Sequence, residues 1–323
     1  MRNDRFTKFC IVGMGGHART KLMPAIAANG QSVVAVVSSQ PAKNFPDMTV
    51  FIRLEDAIEK LPRDTAFFIA TPPALHFAQA ERVLQGGFDL FLEKPAFVTR
   101  QDAQRIAALG SAPPRVLVEG FMHRYTQLYS ELLAVWAASR ERVRAIEIRF
   151  LIDKMPPGTF RHETNVVSSA LYDIGCYPLS LLADIGLGRA DLSVSGLQFA
   201  GDPDRTRIRI TGSAGEIAVG LDIGVAEAYA NSVCLRMSDG ETVCFAPFFY
   251  GRKAERTITT SGGGKSATRT LSDENAFEVM LARPRSAWLG DQAERSRQMI
   301  EVAGRLEGLA HELSAVGLGG RIK

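Results

Sequence analysis

Two short stretches combine residue types that fit chemistry. Gly13-Met14-Gly15-Gly16-His17-Ala18 follows the apolar run Phe9-Cys10-Ile11-Val12. A G-x-G-x-x-A turn between a buried strand and a helix grips a pyrophosphate. Gly13 permits the tight turn, Gly15 leaves room for a phosphate to approach the backbone, and Ala18 lets the helix lie close to the strand. Gly16 and His17 lie in the same turn. The helix behind it offers free N–H groups and the positive end of its dipole to an anion. The second stretch, Glu93-Lys94-Pro95, ends the apolar strand Asp89 to Leu92. An ammonium at the end of a buried strand either caps that strand or faces the crevice beyond it, where it would polarise a substrate oxygen and steady a developing alkoxide. Pro95 sets the backbone angle there, and a cis peptide is allowed.

A parallel sheet would bring both stretches to one edge. Strands are expected at Val33 to Val37, Val50 to Ile52, Thr65 to Ala70, Asp89 to Leu92 and Arg115 to Glu119, with helices near 20–28, 54–60, 73–85 and 100–109 between them. This alternation implies a doubly wound unit with right-handed crossovers and a ligand crevice at the carboxyl ends of the strands. Thr71-Pro72-Pro73 emerges at that edge beside the nicotinamide half of a dinucleotide, with His76 either a cofactor contact or a helix-surface residue. The strand Val33 to Val37 ends in Ser38-Ser39-Gln40 with Lys43 close behind, where an NAD site would carry an acid. Hydroxyls and a cation suit a 2′-phosphate, so NADP is expected ahead of NAD; otherwise the serines cap a turn and Lys43 is solvated.

Beyond residue 140 the pattern changes to strands joined by short turns: Val143 to Ile152, Leu192 to Ala200, Thr206 to Thr211, Glu216 to Leu221, Ser232 to Met237 and Glu241 to Phe245. The expected fold class is therefore α/β: an N-terminal Rossmann parallel sheet over 1–121 and an α+β domain with a large, mainly antiparallel open sheet over 122–323. A closing helix is expected from Ser286 to Leu313, with Met299, Ile300, Val302, Ala303, Leu306 and Leu309 on one face. Ser261-Gly262-Gly263-Gly264-Lys265-Ser266 ends like a phosphate-binding loop, but Thr259 stands where that motif needs its first glycine; a hairpin tip is expected instead.

Composition narrows the class further. The 323 residues are 46% apolar and 23% charged with net charge +3, and the basic residues are scattered, which argues for a globular protein and against nucleic acid as its partner. No run approaches the roughly 18 apolar residues that cross a bilayer, and the first residues lack a signal-peptide segment, so a cytoplasmic protein is expected. Cys10, Cys176, Cys234 and Cys244 form no C-x-x-C pair and lack histidines at ligand spacing; neither a metal site nor a disulfide is expected, and Cys10 reads as a small core residue.

Together, Gly13-x-Gly15-x-x-Ala18, Ala70-Thr71-Pro72-Pro73 with His76, and Glu93-Lys94-Pro95 resemble the glucose-fructose oxidoreductase, inositol dehydrogenase and MocA family of nicotinamide-dependent oxidoreductases. Gly120-Phe121-Met122-His123-Arg124-Tyr125, Phe160-Arg161 and Leu171-Tyr172-Asp173-Ile174-Gly175-Cys176-Tyr177 are similar to segments of its aldose and dihydrodiol dehydrogenase branch. The resemblance implies that Tyr177, where many members carry His, exchanges the hydroxyl proton while Lys94 supports it. Asp173 lies four residues earlier on the same helical face, as a partner in that chemistry or a helix cap. An unperturbed tyrosine, with pKa about 10, is a ready proton donor for carbonyl reduction. Arg124 and Arg161 would orient a sugar or polyol substrate or serve salt bridges within the fold. Relatives carry a glycine-rich stretch where this chain has Val166-Val167-Ser168-Ser169-Ala170, which narrows the expected pocket. The resemblance further implies a homodimer or homotetramer, with a non-catalytic dinucleotide-binding regulator as the alternative function.

Overall fold

The computed structural model describes residues 4–40, 42–153, 170–198 and 206–315. The chain divides into one unit of Met1–Phe121 with Phe277–Ala303 and another of Met122–Ala276 with Gly304–Lys323. Residues 277–303 thus belong with the first unit, whereas the sequence reading kept them in the second.

The first unit is built on β1 (Lys8–Val12), α1 (Met23–Ala28), β2 (Ser32–Val37), β3 (Thr49–Phe51), α2 (Leu54–Lys60), β4 (Thr65–Ile69), α3 (His76–Gln85), β5 (Leu90–Leu92), α4 (Arg100–Ser111) and β6 (Leu117–Glu119). Its strands run in the order β3-β2-β1-β4-β5-β6, every pairing parallel, which is the doubly wound dinucleotide-binding order. These strands read as continuous apolar runs because helices cover both faces, and Phe9 to Val12 and Thr65 to Ile69 are buried throughout. Their core includes Cys10, whose thiol is pushed up by burial and stays protonated, as expected of a packing residue. Thr99 caps α4, its hydroxyl accepting from the Asp102 N–H at 3.2 Å.

The second unit carries α5 (Gln127–Ser139), β7 (Val143–Ile152), α6 (Cys176–Asp184), β8 (Asp191–Gln198), β9 (Arg207–Ala214), β10 (Ile217–Val225), β11 (Ala230–Met237), β12 (Thr242–Ala246), β13 (Arg256–Gly262) and β14 (Lys265–Leu271). Eight strands form one sheet in the order β14-β13-β12-β11-β7-β10-β9-β8; β7 with β10 is parallel and the other pairs are antiparallel. Along β7, Ile146, Ile148 and Phe150 point inward, while Glu147 and Arg149 face out. As expected, the glycine-rich segment is the tip of the β13–β14 hairpin, where Gly263 and Gly264 take φ of 57° and 76°, the positive values a two-residue hairpin turn needs.

Two expectations are corrected. Cys234 and Cys244 sit opposite each other on β11 and β12 and form a disulfide with a Cα–Cα distance of 4.1 Å, although their spacing in sequence gave no hint of it. The single closing helix is interrupted: α7 (Ala276–Leu281) is followed by α8 (Arg285–Gly290) and α9 (Gln292–Ala315). Asp291, at φ −98° and ψ 7°, breaks the line between α8 and α9. Trp288 on α8 is fully buried, with its ring edge-on to Phe91 and the Arg295 guanidinium 4.9 Å from its centroid. Among the described residues, no helix is long and apolar enough to cross a membrane and no His/Cys/Asp/Glu cluster could hold a metal.

Candidate active site

The glycine turn leaves β1 at Gly13, whose N–H donates to the Val37 carbonyl at 3.0 Å and whose φ is +91°. A Cβ there would lie 2.8 Å from Thr71 Cγ2 and 3.0 Å from the Thr71 nitrogen, so only glycine lets the β1 and β4 turns nest. A Cβ on Gly15 or Gly16 would meet nothing within 4 Å: the opposite side of the turn is open, as a pyrophosphate cradle requires. Helix begins at Gly16 and widens to a π-turn over Ala18–Leu22 before α1, with Ala18 buried against the sheet. The residues present therefore fit a dinucleotide. Gly13→Val should abolish dinucleotide binding and lower the melting temperature, since strained φ and steric overlap each cost about 1–3 kcal/mol. Fluorescence titration and thermal melts check this, and unchanged binding would show that the turn carries no ligand.

A second contact ties this turn to the end of β5. His17 Nε2 lies 2.8 Å from Glu93 Oε1, and the His17 ring packs edge-on to Phe277. Burial raises the Glu93 carboxyl, but the close contact with His17, with Lys94 and His76 nearby, outweighs that effect and holds it below the ordinary carboxylate value. Lys94 follows at the carboxyl edge, half-buried, and its bond to Pro95 is cis. His76 is not on the helix surface. It is fully buried, with Nε2 2.8 Å from the Thr71 carbonyl and Nδ1 3.1 Å from those of Pro95 and Ala96. Burial lowers its pKa against the pull of those carbonyls, and the ring pins the Thr71-Pro72 loop to the Lys94-Pro95 loop. Glu119 adds a further tie by accepting from the Ala96 N–H at 2.8 Å.

At the end of β2 the candidates separate. Ser38 is buried and its hydroxyl accepts from the Gln40 N–H at 3.1 Å, so it shapes the turn. Ser39 and Lys43 are exposed. The sequence reading missed Arg19, one residue past Ala18. Its guanidinium donates to Gln40 Oε1 and to the Met14 carbonyl, and stacks 4.8 Å from the Phe45 ring centroid. A basic residue in the first turn after the glycine motif was the available signal.

In the second unit, Asp173 lies in a π-turn over Leu171–Gly175 that runs into α6, and Tyr177 in the first turn of α6. Both side chains are nearly buried. The Tyr177 hydroxyl donates toward Met122 Sδ at 3.8 Å, and its ring packs against His123, Phe150 and Phe249 at centroid distances of 5.5, 5.2 and 5.6 Å. Burial, with the Arg124 charge beside it, holds His123 well below the ordinary imidazole value, leaving a neutral ring in this aromatic cluster. Of its two expected roles, Arg124 shows the salt bridge within the fold. It makes a bidentate pair with Asp184 at 2.8 and 2.9 Å, both side chains almost fully buried, and Tyr129 donates to the same carboxylate. Arg161 and the 166–169 stretch lie outside the described residues.

Comparison with known proteins places the first unit in a family and the whole chain in a fold. Residues 7–121 match the GFO_IDH_MocA model, described as oxidoreductase family, NAD-binding Rossmann fold. A dTDP-3,4-didehydro-2,6-dideoxy-alpha-D-glucose 3-reductase of Actinomadura kijaniata is 28% identical over 243 residues, covering 71% of this chain and 72% of the relative. A trans-1,2-dihydrobenzene-1,2-diol dehydrogenase of Xenopus tropicalis is 24% identical over 198 residues, 59% of each chain. Among solved structures, KijD10, a 3-ketoreductase from Actinomadura kijaniata in complex with NADP and TDP-benzene, superposes with TM-score 0.80 at 20% identity, covering 95% of this chain and 97% of that one. Variants of KijD10 altered at a lysine and at a tyrosine are also known as structures.

Proposed function

We propose, from the premise that this chain belongs through residues 7–121 to the Gfo/Idh/MocA oxidoreductase family, that it moves a hydride between NADP and a carbonyl or hydroxyl carbon of a sugar, polyol or sugar nucleotide. The observation that carries the reading is the 2.8 Å His17–Glu93 pair, which joins the open glycine turn to the strand end bearing Lys94. The relatives named as sugar-nucleotide 3-reductases and the NADP complex of KijD10 support the substrate class and the cofactor.

When bound, NADP supplies or accepts the hydride. The N–H groups at the start of the helix after Gly15 would hold its pyrophosphate, and Thr71 and Pro72 would form the edge beside its nicotinamide. Arg19, with Ser39 and Lys43, would face the 2′-phosphate, while Ser38 keeps the turn in shape. Lys94 would supply an ammonium to the substrate oxygen and stabilise the negative charge that develops there. Tyr177 gives its phenolic proton to that oxygen in reduction and recovers it in oxidation, with Asp173 as an acceptor for substrate hydroxyls. Arg161 is retained as a substrate-orienting residue.

Mixing the protein and NADP with a panel of aldoses, polyols and sugar nucleotides, and NADPH with keto sugars, while following NADPH absorbance, tests this reading. Turnover on at least one member is expected. Tight NADPH binding without turnover on any would leave a dinucleotide-binding regulator. Arg19→Ala should raise the NADP dissociation constant about ten- to hundredfold, the equivalent of a charged hydrogen bond, with NAD affinity unchanged. Equal weakening of both cofactors would reduce Arg19 to a turn-stabilising residue.

A further inference from the structure

The edge of the parallel sheet opposite the glycine turn carries a second basic feature. Asp4 to Thr7, Arg63, Asp64, Asp89, Arg115 and Arg285 help to line a cavity of about 1120 Å³ at the amino ends of β1, β4, β5 and β6. Its three carboxylates are occupied. Asp4 accepts from the Ser286 N–H and hydroxyl, Asp64 from Lys8 at 2.9 Å, and Asp89 from Arg285 at 2.6 and 3.1 Å and from the Val116 N–H at 2.8 Å. Among the described residues, Arg5, Arg63 and Arg115 have no carboxylate partner. The Arg63 guanidinium donates to the Gly86 carbonyl and stacks 4.5 Å from the Phe88 ring centroid. Arg115 Nε is buried with no hydrogen-bond partner.

Arg63 and Arg115 converge on one point. A Cβ added to Gly87, which adopts φ +79°, would lie 3.4 Å from Arg115 Nη2 and 3.9 Å from Arg63 Nη1. Two guanidiniums flanking the same small space repel each other, and an oxyanion between them would reverse that repulsion and satisfy their donors in pairs. The bare glycine keeps the space open.

We propose that this cleft binds the phosphate group of a small molecule, with Arg63 and Arg115 as its two arms and Arg5 alongside. The volume admits more than inorganic phosphate, so a phosphate monoester and the free ion are both compatible sources. The site is separate from the dinucleotide turn and does not rest on the proposed redox function.

Isothermal titration of the full chain with inorganic phosphate, and separately with glycerol phosphate, tests the proposal. Both runs are made at constant ionic strength in chloride, with and without saturating NADP. Saturable binding should persist with NADP present and weaken about tenfold or more in Arg115→Gln and in Arg63→Gln, as loss of one charged arm requires. Preference for one probe identifies the source, and either preference supports the site. Arg5→Gln, at an exposed position, supplies a variant that folds even if loss of the Phe88 contact unfolds Arg63→Gln. Oxidoreductase turnover without phosphate should be unchanged in all three. Absence of saturable binding, or equal binding in wild type and in every folded variant, would overturn the proposal, whereas failure of NADP to bind would strike only at the redox reading.

Discussion

Lys94→Ala should lower kcat by about 10²–10³-fold while leaving the NADP dissociation constant within a few-fold of wild type. A positioned charge facing a developing oxyanion contributes about 3–4 kcal/mol to the transition state and little to the ground state, so its loss appears in turnover. Binding should survive because the pyrophosphate grip is built from the Gly13 to Ala18 backbone. Lys94→Gln sharpens the test, since it keeps a polar side chain of similar reach at the half-buried position before Pro95 and removes only the charge. If Lys94 merely caps β5, both variants would lose melting temperature and keep their activity. Steady-state kinetics, cofactor titration and thermal melts on the same preparations separate these outcomes, and turnover within tenfold of wild type would sink the electrostatic role.

The parts of the fold legible in sequence are those whose burial repeats along the chain. Val143–Ile152 and Leu54–Lys60 are found where their alternation and helical spacing place them, because one face of each packs inward and the periodicity records it. Strands β13 and β14 left no such record. Arg256–Gly262 and Lys265–Leu271 contain few apolar residues, and β14 is exposed along most of its length; pairing with a neighbouring strand makes them strands. The Cys234–Cys244 bridge likewise follows from the β11–β12 register, which ten residues of spacing cannot reveal. The same limit applies to individual site residues. The glycine turn and Glu93-Lys94-Pro95 are local patterns and could be read directly. The burial of His76 depends on carbonyls from two loops, and the commitment of Arg124 depends on Asp184, sixty residues away. Arg19 was overlooked because its place beside the end of β2 comes from a parallel pairing, with Gly13 N–H joined to the Val37 carbonyl.

Tyr177→Phe isolates the proton from the packing. The ring's neighbours His123, Phe150 and Phe249 meet a phenylalanine as they meet tyrosine, so the variant should fold with a melting temperature near wild type. Carbonyl reduction should nevertheless slow by about 10²–10⁴-fold, the range a positioned general acid supplies. The loss should appear in kcat more than in KM, because the proton is needed only as the oxygen gains charge. Combining Tyr177→Phe with Lys94→Ala then asks whether the two residues serve one step. Groups acting as a unit are strongly non-additive, so the double variant should be little slower than the slower single variant. Rates that multiply would instead assign the lysine and the tyrosine to independent tasks. Full activity in Tyr177→Phe would make the phenol a packed ring and return the proton to another group of the second unit.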